Sequence, residues 1–357
     1  MRILVTGGCG FIGSHLIRRL LKDECNQIFN IDKIGYASIP NLLETLTKRD
    51  ATKISGNYEL LEIDLSNKED TENAVKHASP ELVIHLAAES HVDRSIDAPD
   101  VFIYSNIIGT FNLLESCRNY WNKLSPSCKK NFKFQHVSTD EVFGSLGDTG
   151  SFEEKTAYDP RSPYSATKAS SDHLVRSWHH TFGLPILISN CSNNFGPWQF
   201  PEKLIPLSIL KAYLKEPIPI YGDGKNVRDW LFIEDHIDAL ILIANKGKIG
   251  ESYCIGGQGE KNNKDVVMEI CTIMDRHFPK NYPHKNLIQY VSDRPGHDKR
   301  YSINSKKIKK DLGWYPKYSF SKGLEETVEW YLNNLNWFKK NLDIKQYNLA
   351  RLGKQNN

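Results

Sequence analysis

The chain has 357 residues, 39% of them hydrophobic and 25% charged, enough to bury one large core or two intimate ones without a disulfide or metal staple. Its 46 Lys and Arg against 43 Asp and Glu give a formal charge of +3, which offers no electrostatic reason to expect a nucleic acid or an acidic membrane surface as partner. Seven cysteines, none paired as C-x-x-C, suggest neither a disulfide framework nor a zinc site and point to a reducing, cytoplasmic compartment. The amino terminus meets Thr6-Gly7-Gly8 too soon to be a signal peptide, and other apolar runs fall well below the ~20 residues that span a bilayer. The expectation is a soluble protein.

Short apolar runs at Ile3–Thr6, Gln27–Ile31, Tyr58–Ile63, Leu82–Leu86, Phe132–Val137 and Ile186–Asn190 read as strands. Between most of them lie segments of helical period such as Phe11–Lys22 and Val101–Tyr120. In the first of these, Ile12, Leu16 and Leu20 share one face while Arg18, Arg19 and Lys22 stay wet. This alternation predicts an α/β fold, a Rossmann-type doubly wound parallel sheet covered on both faces. After Asn190, Pro197, Pro201, Pro206, Pro217 and Pro219 and the turn Gly222-Asp223-Gly224 break the pattern into a smaller, irregular C-terminal domain. The expected division is 1–190 for the first domain, with a return segment around 229–256 that holds the apolar run Ile237–Ala244. The second domain takes 191–228 and 257–335, and 336–357 is a polar tail.

Gly7-Gly8-Cys9-Gly10-Phe11-Ile12-Gly13 follows a strand and opens a helix, the setting that a dinucleotide fingerprint requires. Gly7 permits the tight turn, Gly10 lets backbone approach a pyrophosphate, and Gly13 lets helix and strand pack closely, with the helix N-terminus facing the negative charge. Asp32, 19 residues after Gly13 and at the end of the second strand, can bind ribose hydroxyls and repel a 2′-phosphate, favouring NAD over NADP. The adjacent Lys33 works against that preference, because a cation can accommodate the extra phosphate. Asp64-Leu65 ends the third strand, where the carboxylate is either a contact to the adenine edge or a helix cap.

Tyr164 and Lys168 stand four apart, on one face of a helix that Ser162 caps and Pro163 opens. The ammonium lowers the phenol pKa and can hold ribose hydroxyls, so Tyr164 is a credible base toward a sugar hydroxyl. The fifth strand runs into Thr139-Asp140-Glu141-Val142-Phe143-Gly144. Adjacent carboxylates in an extended strand would face opposite ways, so Asp140 and Glu141 must lie in a turn past the strand end to serve one substrate.

The G-x-x-G-x-x-G spacing with Tyr164-Ser165-Ala166-Thr167-Lys168 resembles the extended short-chain dehydrogenase/reductases, which act largely on nucleotide sugars. Longer runs are similar to the dTDP-glucose 4,6-dehydratase family within them: Leu86-Ala87-Ala88-Glu89-Ser90-His91-Val92-Asp93-Arg94-Ser95, Asn190-Cys191-Ser192-Asn193-Asn194, Pro201-Glu202-Lys203-Leu204-Ile205-Pro206, Arg228-Asp229-Trp230 and Asp293-Arg294-Pro295-Gly296-His297-Asp298. The similarity extends from residue 2 to roughly 330. It implies a hydro-lyase that carries dTDP-glucose to dTDP-4-keto-6-deoxyglucose with bound NAD, and a homodimer paired through Val101–Tyr120 and Ser162–Phe182.

The resemblance also implies the roles. Tyr164, with Lys168, takes the proton from the 4-hydroxyl and Thr139 hydrogen-bonds the same oxygen. Glu141 removes the C5 proton made acidic by the new ketone, and a protonated Asp140 donates to the departing 6-hydroxyl. The cofactor contacts are Gly7, Gly10, Phe11, Ile12, Gly13, Asp32, Lys33, Asp64, Leu65, Leu86, Ala87, Ala88, Ser90, Ser105, Tyr164, Lys168 and Asn194. Substrate contacts are Ser90, Thr139, Asn193, Lys203, Leu204, Arg228, Asn263, Arg294 and His297, the two arginines facing the diphosphate. No metal is implied. Four features depart from the family: Phe143 in place of a tyrosine, Ser105 in place of a threonine, Gln258-Gly259 in an asparagine-rich loop, and Asn122–Lys130, which reads as an added surface loop. The competing readings are a UDP-glucose 4,6-dehydratase, a nucleotide-sugar 4-epimerase, which has no use for the Asp140-Glu141 pair, and a non-catalytic NAD-sensing module, which has no use for Tyr164 and Lys168 either.

Overall fold

The computed structural model describes residues 1–39 and 56–337. In chain order its elements are β1 (Arg2–Thr6), α1 (Phe11–Leu20), β2 (Gln27–Asp32), β3 (Tyr58–Glu62), α2 (Lys68–Ala78), β4 (Leu82–His85), α3 (Val92–Asp97), α4 (Pro99–Phe102), α5 (Gly109–Asn122) and α6 (Pro126–Asn131). Then follow β5 (Lys133–Thr139), α7 (Pro163–Phe182), β6 (Ile186–Cys191), β7 (Asn193–Phe195), α8 (Leu204–Leu214), β8 (Ile218–Tyr221), β9 (Val227–Phe232) and α9 (Ile233–Lys246). The last are β10 (Ser252–Ile255), β11 (Glu260–Asn262), α10 (Asn263–His277), β12 (Ile288–Val291), α11 (Lys306–Leu312) and α12 (Phe320–Asn333).

The main sheet has seven strands in the order β3-β2-β1-β4-β5-β6-β10, and every pairing in it is parallel. Alternation along the strands builds its two faces. Ile3 and Val5 of β1, Leu82 and Ile84 of β4 and Leu187 of β6 pack with Leu16 of α1 and Ile237 of α9. Leu4, Val83, Ile186 and Ile188 point the other way, against Val75 of α2, Leu113 of α5 and Val175 of α7. Strand order reverses between β1 and β4, which opens a crevice beyond their carboxyl ends. Of the segment 229–256, residues 229–232 stay in β9 of a small sheet, while α9 is tied to α1 through Arg19, which donates to Asp238 and Glu234 at 2.5 Å each, and β10 adds the strand beside β6. Two small sheets, β11-β9-β7 and β12-β8, lie outside the main one.

Three expectations are corrected. Val101–Tyr120 is not one helix: α4 and α5 are joined by a π-helical stretch, Ile103–Ile108, where the wider turn shifts the helical face. Asn122–Lys130 is not a plain loop: Ser125 accepts from the Cys128 N–H and Pro126 takes the first helical position, so the segment folds into α6. The third strand ends at Glu62, before Asp64. Of the expected tail 336–357, residues 338–357 lie outside those described.

Candidate active site

The turn from β1 into α1 is shaped by its glycines. Gly7 adopts a φ of +72°, and a Cβ there would sit 2.7 Å from the Ala87 backbone. A Cβ on Gly13 would come within 2.3 Å of the Gly7 carbonyl oxygen. The turn therefore packs against the end of β4 as no other residue would allow. Helix α1 opens at Gly10 with no side-chain cap, so its first N–H groups are offered to an anion in the crevice rather than to the protein.

Asp32 closes the other side of this end. Its carboxylate accepts from the Cys9 N–H at 2.9 Å, the Ile34 N–H at 2.9 Å and the Ser38 hydroxyl at 3.3 Å, fixing it at the rim. The Lys33 ammonium is paired with Glu89 at 2.7 Å, so its charge is already taken. Asp64 is not the helix cap, since Asn67 caps α2; its side chain accepts from the Ser66 N–H at 2.8 Å, holding a turn, and it lines the crevice.

Helix α7 begins as expected. The Ser162 side chain accepts from the Ser165 N–H, the Ser165 side chain answers at the Ser162 N–H, and Pro163 opens the helix. That start aims Tyr164 and Lys168 at the end of β5, both buried. Lys168 donates to the Val137 carbonyl at 2.9 Å. Thr139 ends β5; its hydroxyl donates to Asp140 and accepts from the Glu141 N–H, both at 3.3 Å, and starts the tight turn Asp140–Phe143. The two carboxylates thus leave the strand and stand beside the phenol.

Their environments differ. Burial, then the neighbouring charges of Glu141 and Asp229, pushes the Asp140 carboxyl well above the ordinary aspartate range, and its second oxygen has no partner among the described residues. Glu141 is also raised by burial, but Arg294, Lys203 and Arg228 pull it back. Both carboxyl groups are raised, Asp140 well above its ordinary range and Glu141 against the opposition of three cations. Burial, then Glu141, raises the Tyr164 phenol well above its ordinary value, with Thr139 opposing, which corrects the expectation that Lys168 lowers it: the ammonium donates to the Val137 carbonyl instead.

The far end is cationic. Arg228 is buried, its guanidinium 4.2 Å above the Tyr301 ring and donating to the Asp298 carbonyl at 3.1 Å. Arg294 pairs with Asp93 at 3.2 Å, while its Nε is buried with no partner among the described residues. His297 is both a packed turn residue, bonded to Asp293 at 2.6 Å, and part of the cavity wall. The Lys203 ammonium reaches back to the Ser90 carbonyl at 2.8 Å, joining the two halves of the crevice.

All of the cofactor, catalytic and substrate positions named from the sequence line one cavity of about 470 Å³, from Gly7 at one end to Asn263, Arg294 and His297 at the other. Sequence reasoning missed Tyr36, which donates to the buried Glu202 at 2.7 Å under the Arg94 guanidinium, and the Tyr221 hydroxyl on Asp93 at 2.7 Å. Asp93 and Glu202 sit inside the family-like runs; Tyr36 and Tyr221 carry no motif of their own. Phe143 does not line the cavity: it stacks on Phe152 with centroids 5.2 Å apart, so the hydroxyl lost there is not a site hydroxyl. Far from the cavity, His277, Glu325 and Glu329 bring ligand atoms within 4.8 Å, but Arg276 already occupies the Glu325 carboxylate.

A glycine turn at an open helix N-terminus, a carboxylate at the end of the second strand and a buried Tyr–Lys pair define a dinucleotide-dependent enzyme of the short-chain dehydrogenase/reductase class. The GDP-mannose 4,6 dehydratase family model matches residues 4–327. A probable dTDP-glucose 4,6-dehydratase of Sinorhizobium fredii is 50% identical over 99% of both chains. The crystal structure of the Bacillus anthracis dTDP-glucose 4,6-dehydratase in complex with NAD superposes with a TM-score of 0.82 at 41% identity, covering 96% of this chain and 99% of that one. That of the Streptomyces venezuelae dTDP-glucose 4,6-dehydratase with NAD and TYD bound gives 0.84 at 36% identity, covering 96% and 100%. The chain belongs to the GDP-mannose 4,6 dehydratase family and, within it, to the dTDP-glucose 4,6-dehydratases.

Proposed function

We infer that the chain is a hydro-lyase that converts dTDP-glucose to dTDP-4-keto-6-deoxyglucose and water, with NAD as its cofactor. The observation that carries this reading is the pairing of a proton-holding Asp140 and a cation-faced Glu141 in one turn beside Tyr164, an acid and a base that elimination needs and epimerisation does not. The uncapped α1 N-terminus and the Gly7–Gly13 turn suit the dinucleotide pyrophosphate, and Asp32 suits its ribose hydroxyls. When bound, NAD supplies an acceptor for hydride from C4 and gives the hydride back at C6.

The chain's own groups do the rest. Tyr164 takes the proton of the 4-hydroxyl while Thr139 holds the same oxygen, and the Lys168 ammonium stabilises the phenolate that starts the step. Glu141 then takes the C5 proton and Asp140 gives its proton to the leaving 6-hydroxyl, which departs as water. Arg228 and Arg294 hold the diphosphate, the unpartnered Arg294 Nε being the donor reserved for it. The remaining positions named from the sequence take the cofactor or substrate contacts that the resemblance implies. On this reading residues 1–190 with the return around 229–256 form the cofactor domain, and 191–228 with 257–335 the nucleotide-sugar domain.

The test is incubation with dTDP-glucose and no added reductant. A 4-keto-6-deoxy sugar is expected, seen by its alkali-induced absorbance, with UDP-glucose turned over far more slowly; equal use of UDP-glucose would reassign the base, and no product would end the reading. NADP should not replace NAD.

We also propose that two copies pair through the face formed by α4, the π-helical stretch, α5 and α7. There Val101, Ile103, Tyr104, Phe111 and Phe182 are exposed, Tyr104 by 61%, an apolar patch that suits a second copy. Light scattering should give twice the chain mass, and the mass of one chain would refute the pairing. The cytoplasm is the proposed compartment: all seven cysteines are free, and no helix among the described residues is long and apolar enough to cross a membrane.

A further inference from the structure

Behind the Tyr164–Lys168 pair lies a charged cluster that the reaction does not use. Tyr164, Lys168 and Asp172 follow at four-residue spacing along α7 and share its buried face. Asp172 is wholly buried, a place where a lone carboxylate is costly unless donors surround it. Four groups do so. His136 of β5 meets one oxygen at 3.0 Å. The Tyr158 hydroxyl donates to the other at 2.7 Å and the Asn190 amide of β6 at 3.2 Å. Arg176, one turn further along α7, donates to the Tyr158 hydroxyl at 3.2 Å.

We propose that Asp172 is a positioning residue for this reaction: its fixed negative charge, one helical turn behind Lys168, keeps that buried lysine an ammonium and so sets the upper pH limit of catalysis at Tyr164. The inference rests on the reading of Tyr164 and Lys168 given above.

The charges around Lys168 leave Asp172 this role. His136 of β5 is pushed down to about 4 by burial and then by Lys168, and His85 of β4 also falls well below its ordinary value, so both are neutral at working pH. Cys191 of β6 is pushed up to about 12 by burial, so it is a neutral thiol. Asp140 holds its proton, and Glu141 answers to Arg294, Lys203 and Arg228. Burial drives Asp172 toward the neutral acid, but the bond from His136, the charge of Lys168 and the bond from Tyr158 outweigh it and leave it ionised. For Lys168, burial favours loss of the proton and Asp172 is the first influence opposing that. No ion pair within 4.0 Å joins the two among the described residues, so the carboxylate acts through space while the ammonium donates to the Val137 carbonyl. Removing the charge must therefore lower the pH at which Lys168 deprotonates.

The test is Asp172→Asn in the full chain with NAD, followed by two readouts. Side-chain carbon NMR of labelled lysine, with the Lys168 signal assigned by its loss in Lys168→Met, should show Lys168 titrating about one pH unit lower than in the wild type. The high-pH limb of the kcat/KM profile should move down by the same amount, while Asp172→Glu restores both. If Asp172→Asn does not fold, Asp172→Ser, which leaves room for water among the same donors, carries the same expectation. An unmoved Lys168 titration overturns the proposal even if the variant is slow or less stable, since a merely structural carboxylate would lower Tm and kcat without shifting the limb. The NMR readout needs no substrate, so it still decides the role of Asp172 if dTDP-glucose proves not to be turned over.

Discussion

Tyr164→Phe should stop the reaction at its first step. In the proposed reaction the phenol oxygen takes the 4-hydroxyl proton, and Asp140, raised well above the ordinary aspartate range, is no substitute base. General-base help is worth about 10²–10⁴ in rate, so single-turnover oxidation at C4 should fall by at least that factor. Phenylalanine keeps the packing of the ring against Phe102, whose centroid lies 6.4 Å away, so NAD binding and Tm should stay near the wild-type values. Rapid-mixing absorbance of the reduced nicotinamide follows the step directly. Oxidation at the normal rate in this variant would remove Tyr164 as the base.

The second large effect separates the two carboxylates. Glu141→Gln keeps the shape and the hydrogen bonds but accepts no proton, so C4 oxidation should survive while exchange of the C5 proton with solvent is lost. Asp140→Asn has no carboxylic proton to give; it should retain C5 exchange and fail to expel the 6-hydroxyl. Each overall rate should drop by about 10²–10⁴. Because burial and the charge of Glu141 raise Asp140 well above the ordinary aspartate range, Glu141→Gln should also lower the pKa of Asp140. Proton NMR of the substrate in heavy water reads the exchange, and equal exchange in both variants would show that the roles are reversed or shared.

Much of this site could be read from the chain because its parts are local. The glycine turn lies within a span of seven residues, the Tyr–Lys pair within one helical turn, and the two carboxylates side by side; each is legible once a strand end or a helix cap fixes its setting. The sheet was legible for the same reason, since runs such as Ile3–Thr6 and Ile186–Asn190 are buried on both faces and read as unbroken apolar strands. What depends on contacts distant in sequence was not. Tyr36 meets Glu202 across 166 residues and Arg294 meets Asp93 across 201, and no local pattern announces either. The π-helical stretch before α5 escaped because its apolar residues keep a helical period whether they face a core or solvent. Asp172 was hidden differently: it occupies the inward face of α7, where a helix pattern leads one to expect an apolar residue, and only the donors gathered from β5, β6 and the Tyr158 segment explain it.

In the proposed reaction one hydride leaves C4 and returns to C6 within a single active site. Conversion of dTDP-glucose deuterated at C4, with the product read by NMR and mass spectrometry, follows that hydride. Deuterium is expected at C6 of a 4-keto-6-deoxy sugar, with none lost to added unlabelled NAD. Deuterium found back on C4 of an unreduced sugar, with inverted configuration there, would contradict it and make the enzyme an epimerase.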